Sequence, residues 1–145
     1  MTEQETFAQR LDGRFEGILQ WGQLDALWQR LKRDPQGWYF YQVGSAVPDR
    51  PLAESELPSA LDELNGLLRQ EHDYNYCGIV YADDPADPRL VKVYDPNNLG
   101  SSCGCSGERI PPRWIISRIP PEEIQDQAPT PNNRKRWWNR LFHLG

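Results

Sequence analysis

Large apolar residues recur three and four positions apart in two stretches of this 145-residue chain, and that period predicts two amphipathic helices. In the first stretch Phe15, Ile18, Leu19, Leu24, Leu27, Trp28 and Leu31 fall on one face, with Gly17 and Gly22 as points where it divides. Basic residues followed by Pro35 and Gly37 predict its end. In the second, Leu57, Leu61, Leu64, Leu67 and Leu68 form a stripe behind Ser55, the expected N-cap, with Pro58 in the first turn. This helix is predicted to run to about His72.

Between and after the helices lie short runs of aromatic and β-branched residues, the composition that suits a pleated, half-buried surface. Trp38 to Val43 is the first predicted strand. Cys77 to Ala82 and Leu90 to Tyr94 flank a turn-rich stretch of Asp and Pro, 83–89, and are predicted to pair antiparallel. Trp114 to Ile119 is the fourth, stopped by Pro120 and Pro121, which cannot donate to a ladder. The expected fold class is therefore α+β in two layers. About four mostly antiparallel strands are covered on one face by two helices, with an amphipathic tail beyond them. The chain divides into a polar N-terminal extension (1–14), the α+β domain (15–124), a polar, Pro-containing linker (125–133) and a basic, Trp-rich tail (134–145). Its length suits one core.

Charge is unevenly distributed. No Asp or Glu follows Asp126, whereas Arg134, Lys135, Arg136 and Arg140 do; removing those four from 16 basic residues leaves 12 against 21 acidic ones. The stretch before Arg134 thus carries −9 and the tail +4. An acidic body repels a phosphate backbone, which disfavours nucleic-acid binding by the domain. The N-terminal residues are polar and acidic, unlike a secretory leader, and no apolar run approaches the roughly 20 residues that span a bilayer. A cytoplasmic location is expected, with peripheral attachment to the inner face of the membrane as its extension. Three cysteines form no disulfide framework, in agreement with that expectation.

On a helix, Trp137, Trp138, Leu141 and Phe142 of the tail gather on one side. Arg134, Lys135, Arg136, Asn139, Arg140 and His143 fill the other, a pattern typical of interfacial helices. Anionic lipid contributes about 1 kcal/mol per basic residue, and each large apolar side chain about 1.5–3 kcal/mol on burial. Ordering a residue costs about 1–2 kcal/mol, so the expected anchor is weak and reversible. In composition and position the tail resembles the short C-terminal membrane-targeting helices of some bacterial cytoplasmic proteins, over about a dozen residues. Three alternatives stand beside membrane attachment: the helix docks on its own domain, enters a groove on a partner, or stacks on single-stranded nucleic acid.

The stretch from Asp95 to Arg113 is long and rich in Gly and Ser, and long loops inside compact domains are often functional. It holds Cys103 and Cys105 about one glycine. With Cys77 and His72 these could complete a tetrahedral site of the kind zinc prefers, although the one-residue spacing departs from common zinc knuckles. Dithiol redox chemistry is the related possibility, and buried or surface thiols without a role are the plain one. With His72 and His143 the only histidines, no nucleophile and base pair assembles from sequence spacing. Asp83, Asp84 and Asp87 lack the Gly and Glu of a calcium loop, and no phosphate-binding glycine pattern is present. The leading expectation is a non-enzymatic adaptor or accessory protein with a protein partner. It would attach to partner or membrane through Arg134, Lys135, Arg136, Trp137, Trp138, Arg140, Leu141 and Phe142. A zinc or thiol protein using Cys77, Cys103, Cys105 and His72 is the alternative.

Overall fold

The computed structural model describes residues 6–72, 74–96, 111–124 and 132–142. The elements are α1 (Phe7–Leu11), β1 (Glu16–Ile18), α2 (Trp21–Arg33), β2 (Tyr39–Gln42), α3 (Glu56–Glu71), β3 (Val80–Ala82), β4 (Leu90–Val93), β5 (Trp114–Ser117) and α4 (Asn132–Leu141). The strands form one antiparallel sheet in the order β1-β3-β4-β5-β2. The chain has the expected α+β class, with five strands rather than about four.

Side chains alternate across the sheet because successive Cβ atoms leave a strand on opposite sides. Phe40, Val91, Val93, Trp114 and Ile116 join the core built with Leu24, Leu27, Trp28 and Leu31 of α2 and Leu57, Leu61, Leu64 and Leu68 of α3. Tyr41, Leu90 and Ile115 point the other way and join a second, smaller cluster with Val43 and Phe7. Leu11, Phe15, Ile119 and Ile124 pack against that cluster. Both faces of the sheet are therefore partly covered. The stretch before residue 15 is also part of the fold, since α1 buries Phe7 and is capped by Thr6, whose hydroxyl accepts from Gln9 N–H at 3.1 Å.

The first predicted helix begins later than its apolar spacing suggested. Glu16–Ile18 pairs with β3 as an edge strand, and Leu19 is 59% exposed instead of buried. A three-residue strand is too short to display a period of two, and the partner that makes it a strand is some 60 positions away in sequence. Helix α2 then starts where the Gln23 side-chain carbonyl accepts from the Leu19 and Gln20 N–H groups, at 3.2 and 2.9 Å. At the start of α3, Ser55 makes no capping bond; Glu56 instead accepts from Ala53 N–H at 2.9 Å. Gly37, with φ +77°, makes the turn from α2 into β2 that Pro35 and Gly37 foretold.

Gly66 lies inside α3, where glycine costs about 0.5–1 kcal/mol relative to alanine. Its φ is not positive, and a Cβ built there would meet nothing within 4 Å. Neither backbone conformation nor crowding therefore requires a glycine at this position.

Among the described residues no helix is long and apolar enough to cross a membrane.

Candidate functional site

Helix α4 is not a free tail. Trp137 and Trp138 are 8% and 7% exposed and belong to the main core, with Leu141 and Phe142 half-buried against it. The Trp138 ring lies 5.3 Å from Phe40 and 4.6 Å from Phe142, and Trp137 lies 5.7 Å from Trp114. This corrects the expectation of an amphipathic tail with an accessible apolar face: that face covers β2 and β5. Arg134, counted on the cationic side, is 2% exposed, while Lys135, Arg136 and Arg140 remain exposed. The period of an amphipathic helix shows which side is apolar, but not whether that side meets lipid, a partner or its own domain.

Arg134 holds the helix in place. Its guanidinium donates from Nε and Nη2 to the two Asp95 carboxylate oxygens, at 3.0 and 2.8 Å. From Nη1 and Nη2 it donates to Glu71, both bonds at 2.8 Å. It also lies over the Trp114 ring, 5.5 Å from the centroid. Burial alone would lower the guanidinium pKa, but the bonds to Glu71 and then Asp95 outweigh that effect and raise it. The charge is fixed at every working pH. Asp95 is fully buried and meets a second cation, Arg113, at 3.4 Å; Arg113 also donates to the Val43 carbonyl at 2.9 Å. Two guanidinium groups and two carboxylates make the cluster formally neutral, which is how buried charge is tolerated. Gln42 adjoins it, accepting from Trp114 Nε1–H at 2.9 Å.

Asp95 and Arg113 are the two ends of the long loop. Arg113 N–H donates to the Val93 carbonyl at 2.9 Å, so the loop connects β4 to β5 as an extended hairpin connection. Cys103 and Cys105 lie outside the described residues.

His72 and Cys77, the other two residues expected in a metal site, come together in an unforeseen way. His72 caps α3 and is buried; its Nε2 lies 2.7 Å from the Cys77 carbonyl. Since a carbonyl only accepts, Nε2 carries the proton. Nδ1 then holds a lone pair, and it is buried without a hydrogen-bond partner. Trp21, Tyr74 and Tyr76 surround the imidazole with ring centroids 6.0, 4.7 and 6.3 Å away. The Cys77 backbone is fixed by donation to the Leu19 carbonyl at 2.7 Å, and Gly78, with φ +73°, makes the bend that follows. Burial pushes the thiol pKa above its ordinary value of 9.0, so Cys77 is a protonated core residue rather than a nucleophile. Among the described residues no group of three metal-binding side chains occurs.

Topology brings these parts to one end of the sheet. Residues 72–79 lead into β3 at the end where β4 leaves for Asp95, and Tyr94 N–H donates to the Ile79 carbonyl at 2.9 Å. Glu71, adjacent to His72, binds the same Arg134 as Asp95. Leu19, Tyr74 and Tyr76, the exposed large apolar side chains among the described residues, lie there as well.

A groove of about 540 Å³ runs between α3 and α4. Asp62, Glu63, Gly66, Leu67, Gln70 and Glu71 form one wall; Asn133, Arg134, Trp137 and Arg140 form the other. Sequence reasoning missed Asp95, Asp62, Glu63 and Gly66 as candidates. The glycine interrupting a leucine stripe was the available signal; the ion cluster had none, because its members are 63 and 39 positions from Arg134.

No family model, no curated protein and no solved structure matches the chain.

Proposed function

We propose that the chain is a non-enzymatic adaptor or accessory domain that meets a protein partner at the end of the sheet bearing the Asp95 to Arg113 loop. The supporting observation is the buried cluster of Asp95, Arg113, Arg134 and Glu71, which ties the two ends of that loop to each other and, through Asp95 and Arg134, to α4 and α3. A long connection between rigidly held ends is how scaffolds commonly carry binding residues. The exposed Leu19, Tyr74 and Tyr76 beside it add apolar area of the kind protein interfaces use.

Attachment to a membrane is the weaker branch of the same reading. With both indoles packed internally, Lys135, Arg136 and Arg140 remain, and about 1 kcal/mol each gives only a millimolar association. A protein partner is therefore favoured over lipid. The test is cross-linking of the full chain in its native cells, followed by mass spectrometry, beside a variant with residues 97–110 replaced by a Gly/Ser stretch of equal length. A partner cross-linked at the loop end and lost in the variant is expected. The same cross-links from both proteins would refute the loop as the contact.

A second reading, a zinc or thiol protein, has one observation in its favour. The bond from His72 Nε2–H to the Cys77 carbonyl leaves Nδ1 buried with its lone pair unused. Metal-bound histidines are oriented by such an outer bond. A bound zinc would supply a structural cross-link, with His72 Nδ1, the Cys77 thiol and the Cys103 and Cys105 thiols as its donors; the raised Cys77 pKa means that binding would release a proton. Elemental analysis of protein purified without added metal, with thiol titration, decides it. One zinc per chain, with three thiols that titrate fully only after unfolding and chelation, is expected; metal-free protein whose three thiols all titrate on unfolding without chelation would end this reading.

A further inference from the structure

The geometry points to the aromatic enclosure of His72 as the seat for a tryptophan side chain of a partner protein, whose indole N–H is donated to His72 Nδ1. This deepens the adaptor reading and rests on it, naming the chemistry of a contact at the same end of the sheet.

The observation that calls for a ligand is the imidazole itself. Its Nε2–H is committed to the Cys77 carbonyl at 2.7 Å, so Nδ1 is an acceptor, and it is buried with no partner among the described residues. Nearly all buried polar groups are hydrogen-bonded, and one that is not asks for a missing donor. His72 is also firmly placed. Its backbone N–H donates to the Leu68 carbonyl at 2.8 Å and its carbonyl accepts from Tyr74 N–H at 3.0 Å.

The rings around it are positioned by specific contacts. Trp21 is fixed by donation from its indole N–H to the Tyr74 carbonyl at 2.9 Å, and the Tyr74 and Tyr76 rings lie 5.7 Å apart. A Cβ at Gly78 would come within 3.2 Å of the Tyr76 ring, and its φ of +73° also favours glycine, so the bend is shaped around that ring. Tyr74 and Tyr76 are nevertheless more than half exposed, with Leu19 beside them. Exposed side chains change rotamer readily. Turning the Tyr74 ring, the nearest of the three to the imidazole, opens Nδ1 to a group arriving from outside.

Three requirements select that group. It donates, because Nδ1 only accepts; it is flat and apolar, because the walls are aromatic rings, which stack or meet edge to face. It is neutral, because the Arg69 guanidinium already lies 4.9 Å over the Trp21 ring and takes the face that attracts an ammonium group. Indole meets all three. It brings one N–H and no acceptor, whereas a phenol would carry oxygen lone pairs into a place where His72 Nδ1 itself lacks a donor. Tryptophan is also among the side chains that anchor protein interfaces.

The probe is N-acetyl-tryptophanamide, compared with its benzothiophene analogue, in which sulfur replaces the indole N–H and the shape is kept. Both are titrated into the full chain with a chelator present, so that zinc does not compete for Nδ1. Binding is read by NMR from amide shifts and from the Nδ1 nitrogen resonance of His72. The tryptophan probe is expected to bind at least about tenfold more tightly, since it alone meets the buried acceptor, and to move the Nδ1 resonance. In Tyr76→Ala the melting temperature should hold while affinity for both probes falls. His72→Gln keeps a donor for the Cys77 carbonyl but has no acceptor where Nδ1 stood, and should bind the two probes alike. Equal binding of both probes by the wild type, wild-type affinity in Tyr76→Ala, or a probe preference retained in folded His72→Gln overturns the proposal. Cross-linking in native cells is repeated with Tyr76→Ala. Loss of the partner's cross-links supports its tryptophan as the occupant, and unchanged cross-links overturn that assignment, whereas the adaptor reading is judged separately on the variant with residues 97–110 replaced.

Discussion

Replacing Arg134 with methionine removes the centre of the buried cluster while keeping much of the side-chain volume. Arg134 is 2% exposed and donates four bonds of 2.8–3.0 Å to Asp95 and Glu71. Removing one partner of a buried pair typically costs about 3–5 kcal/mol, because the other charge is left desolvated. The two carboxylates contribute unequally. Glu71 has a side chain 32% exposed and regains water, whereas Asp95 is fully buried and still meets Arg113 at 3.4 Å. The lower part of the range, about 3 kcal/mol, is therefore expected, a loss of about two orders of magnitude in the folding equilibrium. Domains of this size hold about 5–15 kcal/mol in total, so the variant should fold but with a sharply lower urea midpoint. Urea unfolding followed by tryptophan fluorescence measures it. Arg134→Lys keeps the charge but not the fork, and should recover only part of the loss. Adding Asp95→Asn to Arg134→Met should cost much less than Asp95→Asn alone, since the two changes remove one interaction. A loss below about 1 kcal/mol for Arg134→Met, the value of an exposed ion pair, or strict additivity of the two changes, would refute a desolvated clamp.

Trp138→Ala, which empties the space beside Phe40 and Phe142, should cost about 3–5 kcal/mol by the same assay; a value near that of a surface substitution would show that α4 does not cover the sheet. Removing α4 by ending the chain after Gln127 should uncover Phe40 and Trp114 and leave Asp95 without Arg134. Bound hydrophobic dye and loss of a cooperative melt are expected, and an unchanged melt would contradict the docking. Burial, the largest cause for each, raises the pKa of the Cys77 thiol above 9.0 and of the Tyr41 hydroxyl above 10.0. The folded state therefore retains protons that the unfolded state releases, so this stability is complete below about pH 9 and declines as pH rises through the ordinary values towards the raised ones. Urea midpoints at successive pH values should fall in that window, less steeply in Tyr41→Phe; a flat profile would disprove the linkage.

The sequence by itself determined the elements whose patterns are local. The leucines of α3 and Leu24, Leu27, Trp28 and Leu31 of α2 repeat at the helical period, and the β-branched and aromatic runs of β2 to β5 alternate between two apolar faces. These patterns need no distant partner to be recognised. β1 was hidden, because three residues show no period and its strand state comes from pairing with β3. The destination of α4 was hidden for a related reason. Its amphipathic face is equally suited to lipid, to a partner or to the Phe40 and Trp114 surface, and only the tertiary structure decided among them. Arg134 belongs with the exposed cations of the tail in sequence and with Asp95 and Glu71 in space. Long-range pairing of charge follows from how the chain folds back on itself, which no window of neighbouring residues contains.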